Sequence, residues 1–292
     1  LRAWTFQVRG CSGFVVPVCL LDADMADNAA WDRHLTDFLY GGDDHYRLCQ
    51  EVILGIGGVR MLRALGYRDI KRFHMNEGHS GMLVLELAHE LMPRTDGNTW
   101  SREMLRDVRS LCVFTTHTPV GAGHDQFPLG EVQRVVTDYG HDFDARAREF
   151  CLDNVLNMTY LALDNSHYVN GVAKRHGEVA RHIFAQYPID SITNGVHVAT
   201  WAMPSFQALF DRHIPGWQQD NASLRYALGI PRLELWKAHR AAKQELVRVV
   251  AGMTGTTLDL DTFTIGFARR AAAYKRHDLV FADLDRLLAI HE

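Results

Sequence analysis

No stretch of this sequence is apolar for long enough to cross a bilayer. The longest run, GFVVPVCLL, falls far short of the ~20 residues that a spanning helix needs, and no signal peptide is visible. A membrane partner is therefore not expected. An excess of one charge is also lacking. Against 35 acidic residues stand 31 basic ones, a formal net charge of −4, without the broad basic surface that binding to nucleic acid requires. Cysteine is scarce, with five in the chain. Their number is odd and no CxxC pair occurs. Cys19 and Cys112 sit inside apolar runs, so free thiols in a reducing cytoplasm are expected rather than a disulfide framework. Histidine is plentiful, at 16, yet neither HExxH nor HxxxH is present. His74 and His79 stand poorly spaced for one helix face, and no metal site is expected. Internal repeats and low-complexity segments are absent as well.

What is present is an ordinary globular composition. The apolar fraction is 47% and the charged fraction 23%, enough for a sizeable core. The length of 292 residues suits about two domains. Short runs rich in β-branched and aromatic residues occur at RAWTFQV, GFVVPVCLLDAD, KRFHMNE, SLCVFTTH, HYVNGV, DSITNGV and TFTIGFA. Between most of them lie segments with apolar residues at i, i+3 and i+4, among them SGMLVLELAHELM and LELWKAHRAAKQELVRVVAGM. Strand alternating with helix predicts an α/β fold with a mostly parallel sheet. A long helical stretch over 199–255 places a domain boundary near Asn194, dividing the chain into 1–194 and 195–292. Leu1 begins in mid-pattern and LLAIHE stops inside a helical one, so the chain reads as an excerpt from a longer protein.

Open α/β sheets bind ligands beyond the carboxyl ends of their strands. Four expected strand ends carry chemically useful residues: Asn76, Glu77 and His79; Thr115, Thr116 and His117; Thr193 and Asn194; and the cluster Arg269, Arg270, Lys275 and Arg276 that follows TFTIGFA. Cations at a helix start oppose the macrodipole, so that cluster makes most sense around an anion, and its local character suggests a small one. The segment GIGGVRMLRALG imitates a nucleotide loop. Arg60 stands where a third glycine should, and the pattern around it is helical, so it is read as a helix packed closely through small residues.

Taken in order, LLDADMADN, LTDFLYGGDDHYRLCQEVILGIGGVRMLRALG, FHMNEGHSGMLVLE, VFTTHTPVGAGHDQFP, NMTYLALDNSHYVNGVAKRHGEV, SITNGVHVATW and TIGFARRAAAYKR resemble the α-glucan phosphorylases, most of all their compact bacterial and archaeal branch. The resemblance covers nearly the whole chain. It implies a GT-B fold, two Rossmann-like domains facing a cleft, of which residues 1–194 would be the later part of the N-terminal domain and 195–292 the connector and start of the C-terminal one. It implies phosphorolysis of α-1,4-glucans to α-glucose 1-phosphate with retention, assisted by pyridoxal 5'-phosphate.

By match of motif, Arg269 and Arg270 fall on the family's basic pair, Arg270 gripping substrate phosphate. Lys275 falls on the lysine that approaches the substrate and cofactor phosphates, and Tyr274 on the tyrosine beside it, while Arg276 is read as structural or solvent-facing. His117 and Asn194 match groups that bond the glucose 6-hydroxyl. Glu77 and His79 match residues lining the glucose pocket, Asn170 and Val172 a segment packed against it, and Asp43 the aspartate of a loop that gates the cleft. Ala271, Ala272 and Ala273 depart from the larger or polar residues usual there. The family's Gly-rich phosphate loop and its Schiff-base lysine are expected outside residues 1–292, so the chain alone is expected to be inactive. A glucan and inorganic phosphate are the implied partners, and a homo-oligomer is compatible with the resemblance. Two rival readings remain, a nucleotide-sugar-dependent GT-B glucan synthase and a non-catalytic glucan-binding relic.

Overall fold

A computed structural model of the chain describes residues 1–39, 41–92, 100–118, 124–137, 151–269 and 275–291. The chain divides into two compact units, residues 1–196 and 197–292.

The first unit opens with a hairpin, β1 (Arg2–Arg9) paired antiparallel with β2 (Val15–Asp22). Helix α1 (Asp44–Val52) runs through a wide π turn, Ile53–Gly57, into α2 (Gly58–Ala64). This is the segment that imitates a nucleotide loop, and it is helical. A Cβ on Gly55 would lie 2.7 Å from the Leu83 backbone nitrogen, so only glycine lets the two backbones approach so closely. Strand β3 (Phe73–Asn76) is followed by α3 (Leu83–Leu91) and α4 (Arg102–Leu111), the latter started by the Ser101 hydroxyl accepting from Met104 N at 3.1 Å. Strand β4 (Cys112–Thr116) comes next, then β5 (Gln126–Pro128), α5 (Leu129–Val135), β6 (Cys151–Leu152) and β7 (Val155–Asn157). Asn157 caps α6 (Met158–Asp164), which leads to β8 (Tyr168–Gly171), α7 (Lys174–Ile183) and β9 (Asp190–Ser191).

Strands β3, β4, β8 and β9 form a four-stranded sheet in the order β3-β4-β8-β9, parallel throughout. Parallel strands need crossovers, and here the helices supply them and cover the sheet. Phe114 and Met75 at its centre are fully buried, packed with Leu85, Trp100, Leu156 and Leu161 in one core. An α/β fold with a parallel sheet is what the alternation predicts. The small antiparallel sheet β5-β7-β6 and the opening hairpin were not anticipated as separate sheets.

The second unit is helical: α8 (Val198–Trp201), α9 (Pro204–His213), a 3-10 stretch Asn221–Gly229, α10 (Arg232–Thr254) and α11 (Leu284–His291). Gly255, at φ +72°, ends α10 in the left-handed conformation that glycine adopts without strain. A small core of Leu209, Ile214, Trp217, Ile230 and Ala238 holds it. One expectation fails here. TFTIGFA is not a strand: it joins no ladder among the described residues, and Phe263, Ile265 and Phe267 are 85%, 69% and 56% exposed. A buried parallel strand needs neighbours, and among the described residues this unit holds no other strand. All five cysteines are free, and among the described residues no helix is long and apolar enough to cross a membrane.

Candidate functional site

The carboxyl ends of the four parallel strands bring most of the predicted residues of the first unit to one edge. Glu77, directly after β3, has φ +68°, an unusual value for a residue with a side chain. Its backbone N donates to Thr115 O at 2.9 Å, and its Oε1 accepts from the backbone N of His117, just past β4. Glu77 is 7% exposed, and its Oε2 is buried with no hydrogen-bond partner among the described residues. Strain and an unsatisfied oxygen on one buried carboxylate are costs that a structural residue normally avoids, and they cluster at working sites. Glu77 therefore acts first on the backbone of His117, which it fixes in place.

Asn170 is turned to another task. It sits opposite Thr115 in the sheet, and its Oδ1 accepts from Thr115 Oγ1 at 3.0 Å, which also bonds His74 Nε2 at 2.7 Å. This chain, buried at Thr115 and Asn170 and exposed at His74, ties β3, β4 and β8 together. Val172 follows β8, and its carbonyl accepts from Asn194 N at 2.9 Å, so these two residues are neighbours through their backbones. The Asn194 side chain is exposed.

His176, on the first turn of α7, was not singled out in the sequence. Its ring crowds Gly171, where a Cβ would lie 2.4 Å from Nδ1, and its buried Nε2 has no partner among the described residues. Burial pushes its pKa down, with Glu77 and His117 close enough to influence it. Nothing in the sequence AKRHGE distinguishes it, because the feature that matters is the glycine across from it.

His79 and Asp43 lie with α1. Asp43 caps that helix, its Oδ1 accepting from Tyr46 N at 2.9 Å, and it is exposed. His79 enters a cluster with Arg47, Glu51 and Asp125, none of which the sequence reading named. Hydrogen bonds to Asp125 and Glu51 raise the His79 pKa to about 9, against burial and the Arg47 charge. Burial pushes Glu51 up to about 8 in spite of its bond with His79. Burial also pushes Asp125 up, but bonds from His79, Glu51 and Arg47 outweigh it and hold that carboxyl well below its usual range. Beside this cluster a cavity of about 860 Å³ opens between β2, α1, α2 and β3, lined largely by apolar side chains such as Leu21, Leu54, Val59 and Leu62. Of the predicted residues it touches His79 alone.

In the second unit Arg269 is exposed and Lys275 half-buried. Arg270 and Tyr274, with Ala271, Ala272 and Ala273 between them, lie outside the described residues.

No family model matches the chain. Among curated proteins it is similar to the maltodextrin phosphorylase of Thermococcus litoralis, 37% identical over 94% of this chain and 36% of that protein. It is also similar to the glycogen phosphorylase of Mycobacterium tuberculosis, 37% identical over 98% of this chain and 37% of that protein. The glycogen phosphorylase of Aquifex aeolicus is 31% identical over 93% of this chain and 44% of its own length. The chain thus spans well under half the length of these relatives.

Proposed function

The chain belongs to the α-glucan phosphorylases, and we propose that it forms part of an enzyme that cleaves the terminal glucose of an α-1,4-glucan with inorganic phosphate, giving α-glucose 1-phosphate with retention. In this reading the two units are the later part of the N-terminal domain and the beginning of the C-terminal domain of a GT-B fold. The first serves the sugar and the second the phosphate.

The observation that carries the reading is the sheet edge at which Glu77, strained and buried, grips the backbone of His117. A neutral sugar is held by several oriented hydrogen bonds, and such bonds are only as well placed as the backbone that presents them. Glu77 orients the His117 segment toward the glucose, Asn170 sets the spacing of the strands, and Val172 with Asn194 closes the next stretch of rim. Arg269, Arg270 and Lys275 answer the phosphate: arginine's planar fork matches phosphate oxygens in pairs, and lysine adds a movable point charge. Tyr274 stands with them.

Pyridoxal 5'-phosphate is the cofactor of this reading, and its phosphate group would assist the transfer. The described residues of the second unit offer cations for a phosphate, the exposed Arg269 and the half-buried Lys275, but no described residues there enclose a ring. They do not by themselves make a cofactor site.

The test is release of glucose 1-phosphate from maltodextrin and phosphate by the full-length protein, which should stop when pyridoxal phosphate is removed. Absence of glucose 1-phosphate from the loaded protein would sink the reading. Arg270→Ala should lower kcat/KM for phosphate by about 10²–10³-fold, the usual loss for a preorganised charge-stabilising group. Residues 1–292 alone should give no turnover.

A further inference from the structure

Arg47 and Glu51 stand one turn apart on α1, His79 lies in the turn after β3, and Asp125 lies just before β5. A single oxygen, Asp125 Oδ2, receives Arg47 Nη2 at 3.0 Å and His79 Nδ1 at 2.9 Å. Arg47 Nη2 also lies 2.7 Å from His79 Nδ1, a hydrogen bond in which the arginine donates whenever that ring nitrogen carries no proton; on the protonated ring both nitrogens turn to Asp125 Oδ2 instead. Glu51 Oε1 is 3.3 Å from Arg47 Nε and 3.4 Å from His79 Nδ1. Glu51 is 1% exposed, and its contacts with Arg47 and His79 are longer than the bonds those two make with Asp125.

Ligand atoms of Glu51, His79 and Asp125 lie within 4.8 Å of one another, which is also a spacing at which a metal ion could be held. The Arg47 guanidinium already stands among them, however. A divalent ion would enter against a fixed positive charge at close range and low dielectric, where the repulsion is several-fold that in water. The cation of this site is the arginine.

The members come from three separate segments, and each segment is anchored elsewhere. Arg47 N donates to the carbonyl of Asp43, whose side chain caps the same turn. Asp125 O accepts from Met158 N at 3.0 Å, and Gly78 and Gly81, on either side of His79, lie against Met158 so closely that a Cβ on either would come within 3.1 to 3.2 Å of its backbone. We propose that Arg47, Glu51 and Asp125 are positioning residues, a charged joint that fixes the Asp43-capped start of α1 to the turn bearing His79 and so holds one rim of the sugar site. The rim's role rests on the phosphorylase reading; the joint itself does not.

Among the described residues, the titratable groups that set the His79 pKa are Asp125, Glu51 and Arg47. With Asp125→Asn, the His79 imidazole, followed by NMR, should titrate well below its wild-type midpoint of about 9, towards the ordinary 6.5. Amide exchange over Tyr46–Cys49 should quicken about ten-fold or more as the anchor is lost. In the full-length protein the glucan KM should rise about five-fold or more while the phosphate KM holds within about two-fold, the mark of lost orientation on one side only. The first two readouts need no substrate, so they judge the joint even if the protein performs no phosphorolysis. Should Asp125→Asn not fold, Arg47→Lys reads the same exchange and KM split. A wild-type His79 that titrates near 6.5, or a folded variant with unchanged exchange and glucan KM, overturns the proposal. Tight zinc binding that Asp125→Asn abolishes also overturns it, in favour of a metal centre.

Discussion

Arg47 and Arg269 are both offered to a functional site, from opposite surroundings. Arg47 is largely buried and shares an acidic oxygen with a histidine, inside a unit whose sheet is covered by helices. Arg269 is exposed at the end of an apolar run that no strand among the described residues covers. A cation acquires specificity from enclosure: low dielectric strengthens its pairing and fixed partners set its direction, while an exposed cation is screened within a Debye length of about 8 Å at physiological salt. The first unit has built its charged site; the described part of the second displays only the ingredients.

The sharpest break between the two regions should appear in their cores. Phe114, on the central strand, is 0% exposed, and Phe114→Ala should cost about 3–5 kcal/mol through lost burial and an unfilled cavity. Urea unfolding of the chain measures it. A loss below about 1 kcal/mol would mean that the sheet is not the stabilising centre of the first unit.

The charged cluster should register next, through pH. His79 binds its proton more tightly folded than unfolded, so its contribution is complete below its ordinary 6.5 and disappears as pH rises through about 9. Glu51 acts in the same direction, because the folded chain keeps to about 8 a proton that the unfolded chain releases near 4.5. Asp125 acts oppositely: its share is present above 3.8 and is lost only as pH falls below that. Stability of the first unit should therefore decline from about pH 4.5, where Glu51 begins to lose its share, to about 9, where His79 has lost most of its own, by several kcal/mol at ~1.4 kcal/mol per unit. Glu51→Gln should remove the slope between about pH 4.5 and 6.5 and leave the His79 part above it. A flat profile in the wild type would contradict the cluster's charge state.

The sheet edge was legible because its signals are local. In KRFHMNE, SLCVFTTH and HYVNGV a β-branched or aromatic run ends in polar residues, and parallel crossovers bring such ends to one side. Arg47 and Glu51 were legible only as an i, i+4 pair on a helix, which is common on solvated faces. Their partners His79 and Asp125 stand far along the chain, and nothing in HMNEGH or GAGHDQF announces that one aspartate oxygen will receive both donors. The misread TFTIGFA teaches the same point from the other side. Its residues have strand propensity, but a strand exists only through pairing, and propensity does not supply a neighbour.

The smallest expected effect is therefore the most informative about the second unit. Phe263 and Ile265 are exposed at 85% and 69%, so in residues 1–292 either Phe263→Ser or Ile265→Ser should change stability by less than about 0.5 kcal/mol, as at an ordinary surface position. The same substitutions in the full-length protein should behave differently if other strands there complete a sheet around this run. Ile265 would then be buried in a strand between neighbours, and its replacement should cost about 2–5 kcal/mol and weaken phosphate use by shifting Arg269 and Arg270. An equal and negligible effect in both settings would leave the cations on an open strand end. The second unit could not then be the enclosed phosphate side of a cleft, whatever the sugar side does.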